Sequence, residues 1–132
     1  MTVSSVLPTD ICPPSTDLEP CRCGYLFNRL AFSCYDRGLG DEKISQLLDQ
    51  FISTPGVGAL RELYLWNNNL TRIPDQIRHF TELDDMDLSW NEIRLVKKGS
   101  FNLIQHLERL LLYNNMISSI ESGAFNGIRP AV

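Results

Sequence analysis

The apolar positions of this chain recur with one fixed spacing, three times over. Leu60-x-x-Leu63-x-Leu65-x-x-Asn68-x-Leu70 returns as Leu83-x-x-Met86-x-Leu88-x-x-Asn91-x-Ile93, and again as Leu107-x-x-Leu110-x-Leu112-x-x-Asn115-x-Ile117. The copies are offset by 23 and then by 24 residues. Each unit is too short to bury its own apolar face, so neighbours must stack and share one elongated core. Around Leu63-Tyr64-Leu65 the inward and outward positions alternate, the period of a strand with one face buried. The pattern therefore predicts one short strand per coil, with Leu65, Leu88 and Leu112 side by side in a parallel sheet. Asn68, Asn91 and Asn115 fall where the chain turns away from that sheet. An amide that both donates and accepts can satisfy turn backbone groups that burial would otherwise leave unpaired.

The return half of each coil repeats as well. Ile73, Val96 and Ile120 align, as do Phe101 with Phe125 and Ile104 with Ile128. Pro74 and the glycine steps at Gly99 and Gly123 disfavour long helices there, so short turns are expected. The one clear helical pattern is Asp41 to Ile52, with Ile44, Leu47, Leu48, Phe51 and Ile52 on one stripe. Acidic residues open it and Pro55-Gly56 follow its end. The stripe reads as packing on the outer side of the first coil. A membrane or partner-binding helix would be more basic or expose more apolar surface. Leu30 to Cys34 reads as a strand with Leu30, Phe32 and Cys34 inward.

All four cysteines, Cys12, Cys21, Cys23 and Cys34, precede the repeats. Four cysteines allow three connectivities, and the residues do not choose among them, although Cys21 and Cys23 are too close along the chain for a comfortable bond. A zinc site built from the same four is the alternative, but it lacks paired C-x-x-C knuckles. Disulfides are favoured, and they imply an oxidising compartment.

The spacings over about residues 58–129 resemble the leucine-rich-repeat family. The order Cys-Pro … Pro-Cys-x-Cys … Cys ahead of them resembles the cysteine-rich N-terminal cap of its extracellular members. The resemblance implies pairing of first to third and second to fourth cysteine, Cys12–Cys23 and Cys21–Cys34. The eight residues between Cys12 and Cys21 are more than is usual in that cap. The split cap and the long helical first coil, residues 12 to 52, are similar to a narrower group. These are secreted arthropod leucine-rich-repeat proteins named after the non-catalytic subunit of the Oplophorus-type luciferase, a luciferin monooxygenase. That similarity implies an accessory extracellular role and says nothing of light production.

The expected fold is thus α/β, a leucine-rich-repeat solenoid forming a partial horseshoe with a parallel concave sheet, a disulfide N-terminal cap and one convex helix. Its expected organisation is a disordered segment 1–11, a cap and irregular first coil 12–57, and repeats at about 60–82, 83–106 and 107–130 within 58–132. A fourth unit would begin near 131, and no polar terminal cap is visible. The chain therefore reads as a fragment whose uncapped C-terminal end invites self-association.

Composition narrows the partners. Hydrophobic residues make up 43% of the 132, enough for a core and too many for a disordered chain. The net charge is −4 and the basic residues are scattered, with Lys97-Lys98 the nearest thing to a patch, which disfavours nucleic acid. No apolar run approaches the ~18 residues needed to cross a bilayer, so no membrane insertion is expected. The first eleven residues show no secretory signal pattern, and extracellular placement rests on the cap.

In the resembled fold, residues between the inward leucines project onto the concave sheet. Across the coils these are Glu62, Asp85 and Arg109; then Tyr64, Asp87 and Leu111; then Trp66, Ser89 and Tyr113, flanked by Asn67, Trp90 and Asn114. The candidate partner-binding residues are Glu62, Tyr64, Trp66, Asp85, Asp87, Trp90, Arg109, Leu111 and Tyr113. Exposed aromatics on a rigid sheet are enriched at binding hot spots, and Asp84, Asp85 and Asp87 form an acidic centre suited to a basic partner. Trp66 and Trp90 could instead merely cover the sheet edge. A calcium site at the aspartates would lack the glycine turn and spaced oxygens of a calcium loop. Asn69-Leu70-Thr71 is the one glycosylation sequon, with Asn69 outward.

Catalysis finds little support. His79 and His106 precede successive strands, away from the concave face, with no nucleophile predictable beside them. No cofactor fingerprint and no metal set is present in the pattern. The expected function is a non-catalytic extracellular module binding a protein partner. The alternatives are an accessory subunit of a secreted oxidising enzyme and a self-assembling structural matrix component.

Overall fold

Among residues 11–128, which the computed structural model describes, the chain forms two helices and seven short strands. In order these are α1 (Ser15–Leu18), β1 (Arg22–Leu26), β2 (Arg29–Ser33), α2 (Asp41–Ile52), β3 (Glu62–Tyr64), β4 (Asp85–Asp87), β5 (Leu95–Val96), β6 (Arg109–Leu111) and β7 (Ser119–Ile120). Single 3-10 turns occupy Val57–Ala59 and Asp75–His79. The expected disordered segment lies outside the described residues except for Ile11, which packs half-buried against the core. The expected start of a fourth unit lies outside them too.

The main sheet runs β1-β2-β3-β4-β6, antiparallel between β1 and β2 and parallel thereafter. Phe32, Leu63, Met86 and Leu110 share one rung, which puts the repeated apolar positions in register and on the buried face. The ladder continues past the strand ends: Leu65 N–H donates to the Asp87 carbonyl at 2.9 Å and Leu88 N–H to the Leu111 carbonyl at 2.9 Å. Leu65, Leu88 and Leu112 thus adjoin one another, the first two fully buried and Leu112 half-buried.

Four elements were not foreseen, α1, β1, β5 and β7. The cap is a hairpin rather than a single strand, and helical turn α1 precedes it. The hairpin turns at Phe27 and Asn28, both left-handed at φ 51° and 63°. Such a two-residue turn is normally signalled by Asn-Gly, and Phe-Asn gives no comparable cue. Strands β5 and β7 pair in parallel on the return side, Val96 opposite Ile120. Two residues are too few to carry a periodicity.

Helix α2 spans the expected residues and buries Ile44, Leu47, Leu48 and Phe51. Phe51 sits between Phe32 and Phe80, with ring centroids 4.8 and 5.9 Å away, which fastens the helix to both cap strand and first return turn. One continuous core runs from Leu18 to Ala124, and burial falls off in the third coil, where Leu110, Leu112 and Ile117 are half-buried and Ile120 is exposed. The extra residue of the longer spacing falls in the turn at 97–100, between buried Val96 and Phe101, where it displaces nothing inside.

Each coil is tied to the previous one by its asparagine. Asn91 Nδ2 donates to the carbonyls of Leu65 at 3.1 Å, Leu88 at 3.1 Å and Ser89 at 3.2 Å, while its Oδ1 accepts from Leu70 N–H at 2.9 Å. Asn68 does the same for Cys34, Leu65 and Leu39, and Asn115 for Leu88, Leu112 and Ile93. Among the described residues no buried side-chain nitrogen or oxygen is left without a partner. The cysteines form Cys12–Cys23 and Cys21–Cys34, with Cα atoms 5.6 and 4.4 Å apart. That is the pairing the resemblance implies. It leaves no free thiol for the zinc alternative.

Candidate protein-binding face

The strand register assembles the expected rows. Glu62, Asp85 and Arg109 share a rung, as do Tyr64, Asp87 and Leu111. Because side chains alternate along a strand, these residues all point away from the core, onto the sheet's open face. Trp66, Ser89 and Tyr113 lie two residues further on, where the ladder persists: Asn67 N–H donates to the Ser89 carbonyl and Trp90 N–H to the Tyr113 carbonyl, both at 3.0 Å.

Electrostatics along the first row differ from the expectation of an acidic centre. Glu62 is only 5% exposed, covered by Arg29 at 3.1 Å and hydrogen-bonded by the Tyr64 hydroxyl. A partner would meet Arg29 and Tyr64 before it met this carboxylate. Asp84 is buried and bound by Arg61, with Arg29 at 3.4 Å. Asp85 is paired with Arg109 Nε at 3.0 Å. Three of the four acids are therefore answered by arginines from an adjoining strand or its lead-in. Arg29 was missed because it lies in the hairpin, outside the repeat.

These contacts perturb three groups on the face, the hydrogen bond to Glu62 raising the Arg29 guanidinium. Burial, then the hydrogen bond to Glu62, raises the Tyr64 phenol well above its ordinary value, so it stays neutral and donating. The bond to Asp85 raises the Arg109 guanidinium and keeps it charged.

Asp87 is the exception. Its Oδ1 accepts from Ser89 N–H at 3.0 Å and Ser89 Oγ at 2.5 Å, and among the described residues no basic side chain pairs with it. Ser89 itself is buried beneath. Trp66, Asn67, Asp87, Ser89, Trp90 and Tyr113 together line an open hollow of ≈ 460 Å³. Trp66 stacks on Tyr35, with ring centroids 4.5 Å apart and planes 12° from parallel. Tyr35 was not foreseen, although carrying the register one strand leftwards, with Cys34 in the role of Leu65, would have found it. Trp90 and Tyr113 remain 53% and 54% exposed, and Leu111 is half-buried.

Elsewhere, Asn69 is exposed and its Nδ2 donates to the Gly38 carbonyl at 3.1 Å, while the Thr71 hydroxyl is bound to Asp41. His79 and His106 are exposed on turns and absent from the face. A second hollow, on the return side, brings Lys97 and Lys98 together with Arg72, Arg78 and Asp75. The hairpin tip exposes Tyr25, Leu26 and Phe27, the last at 90%, a patch that the repeat pattern could not show. Among the described residues no helix is long and apolar enough to cross a membrane.

Residues 59–80 match the family model described as Leucine Rich Repeat, so the chain contains a leucine-rich repeat within a mixed α/β structure built on a largely parallel sheet. Domains made of such repeats are, in general, protein-interaction modules.

Proposed function

We propose that this chain is a non-catalytic, extracellular protein-binding module, and that its stacked coils form a solenoid whose concave surface is the open face of the sheet. The observation that carries the reading is the pair of largely exposed, unstacked aromatics, Trp90 and Tyr113, on a strand platform where Glu62, Asp84 and Asp85 are already paired and Asp87 is not. Such rings gain most from being covered by a partner. Two disulfides support an oxidising setting, and the exposed turn positions of both histidines support a non-catalytic role. Asn69 would carry a glycan in that setting.

The test is capture of a partner from extracellular fluid by the immobilised, disulfide-intact chain. Leu111→Asp and Tyr113→Ala should abolish capture with little change in melting temperature, whereas Arg78→Ala on the return side should not. Equal capture by all variants would overturn the assignment to this face. Self-association through the C-terminal end, where Met116, Ile120 and Phe125 are exposed, belongs to the same reading and is measured by light scattering against concentration.

A second reading rests on the cap, whose widely split cysteines and helix α2 are the features shared with the arthropod luciferase-subunit-like proteins. It makes the chain an accessory subunit of a secreted oxidising enzyme. Monooxygenase activity that co-purifies with the intact assembly, but not with the isolated chain, would favour it.

A further inference from the structure

Trp90 holds a backbone conformation that its column otherwise gives to short polar residues. Asp36, Asn67 and Asn114 occupy the equivalent positions, and all four residues have φ between 54° and 58°. Asn and Asp tolerate this left-handed region because their side chains bond locally, and a bulky side chain there is an outlier. Two of these polar side chains also bond across the coils, Asn67 Nδ2 donating to Asp36 Oδ1 at 2.6 Å. An indole at position 90 forgoes such bonds and leaves its ring half in water. Neither conformation nor burial accounts for a tryptophan here, and strained residues of this kind cluster at ligand clamps.

The strain stands beside a carboxylate that has no direct ion pair, Arg109 being bonded to Asp85 and acting on Asp87 only from further off. Glu62 has Arg29, Asp84 has Arg61 and Asp85 has Arg109, each arginine reaching over from an adjoining strand or its lead-in. Asp87 is next along, and the residue facing it on the adjoining strand is Leu111, which cannot pair. Two bonds from Ser89 hold the Asp87 carboxylate still, in the hollow walled by Trp66, Trp90 and Tyr113.

We propose that this hollow receives an arginine side chain from a protein partner, its guanidinium stacked on the rings of Trp90 and Tyr113 and paired with Asp87. A guanidinium is planar, weakly hydrated and able to stack on aromatic faces while its edge bonds a carboxylate; a lysine ammonium is a compact, strongly hydrated charge. This inference rests on the protein-binding reading of the face and adds what is recognised there.

The probe is acetyl-argininamide, titrated into the disulfide-intact chain while tryptophan fluorescence is read, with the neutral isostere acetyl-citrullinamide and with acetyl-lysinamide alongside. The arginine probe should give a saturable change that added salt weakens, with both analogues about tenfold weaker. Asp87→Asn and Trp90→Asn should each abolish it, and Asp75→Asn, a carboxylate on the return side, should not. Trp90→Asn should also melt at or above the wild-type temperature, because the replacement suits the backbone. Equal response to citrulline or lysine, no saturable response to arginine, or retained response in Asp87→Asn would overturn the proposal. Failure here, with partner capture still lost in Leu111→Asp, leaves the face as a binding surface and removes only the arginine. Arginine binding with unaffected capture in Leu111→Asp removes the wider reading instead.

Discussion

At Asn91 one side chain meets four backbone groups, the carbonyls of Leu65, Leu88 and Ser89 and the N–H of Leu70. Truncation to alanine would leave these groups buried and unpaired, at a cost of roughly 2–4 kcal/mol. Asn115 makes the same contacts from a half-exposed position, where water can replace the amide. Urea unfolding should therefore show Asn91→Ala as clearly the more damaging of the two; equal losses would mean that the amides act on the strand ends alone. Tyr64 gives a prediction in pH. Its folded-state value is raised, so its contribution to stability is complete below the ordinary 10.0 and is lost as pH climbs beyond it. In an absorbance titration of the folded chain the last phenol to ionise should vanish in Tyr64→Phe.

Strands β3, β4 and β6 carry the same inward pattern but differ in what lies on either side. Leu88 is flanked by coils on both sides and fully buried, whereas Leu112 is half-buried. Leu88→Ala should cost about 3 kcal/mol and Leu112→Ala about 1 kcal/mol, read from denaturant midpoints. Comparable losses would contradict the graded core. These strands were legible because leucine spacing fixes both period and register, and α2 because its stripe and flanking breakers agree. Hairpin strand β1 was hidden by its exposed Tyr25 and Leu26, which break the alternation. Likewise, the rows of the face could be read from register alone, but their charge state could not. That depends on Arg29 and Arg61, whose reach across strands leaves no trace in a spacing.

Across the described residues, burial falls off in the third coil. Two bridges and the Phe32–Phe51–Phe80 contacts hold the first end, while Ile120 and Phe125 stand partly in water at the other. Replacing Cys12 and Cys23 together by serine should cost about 3 kcal/mol from the freed loop alone. Replacing Cys21 and Cys34 should cost more, because those sulfurs are also buried. Calorimetry of the two double variants checks the order, and a reversed order would place the main constraint elsewhere. The turn at 97–100 has a different consequence. A place where the backbone has already absorbed one added residue, outside a closed interior, is a natural splice point. An affinity tag or fluorescent reporter grafted between Lys98 and Gly99 would sit on the side remote from the sheet's open face, giving a handle for immobilisation that leaves the recognition surface unobstructed.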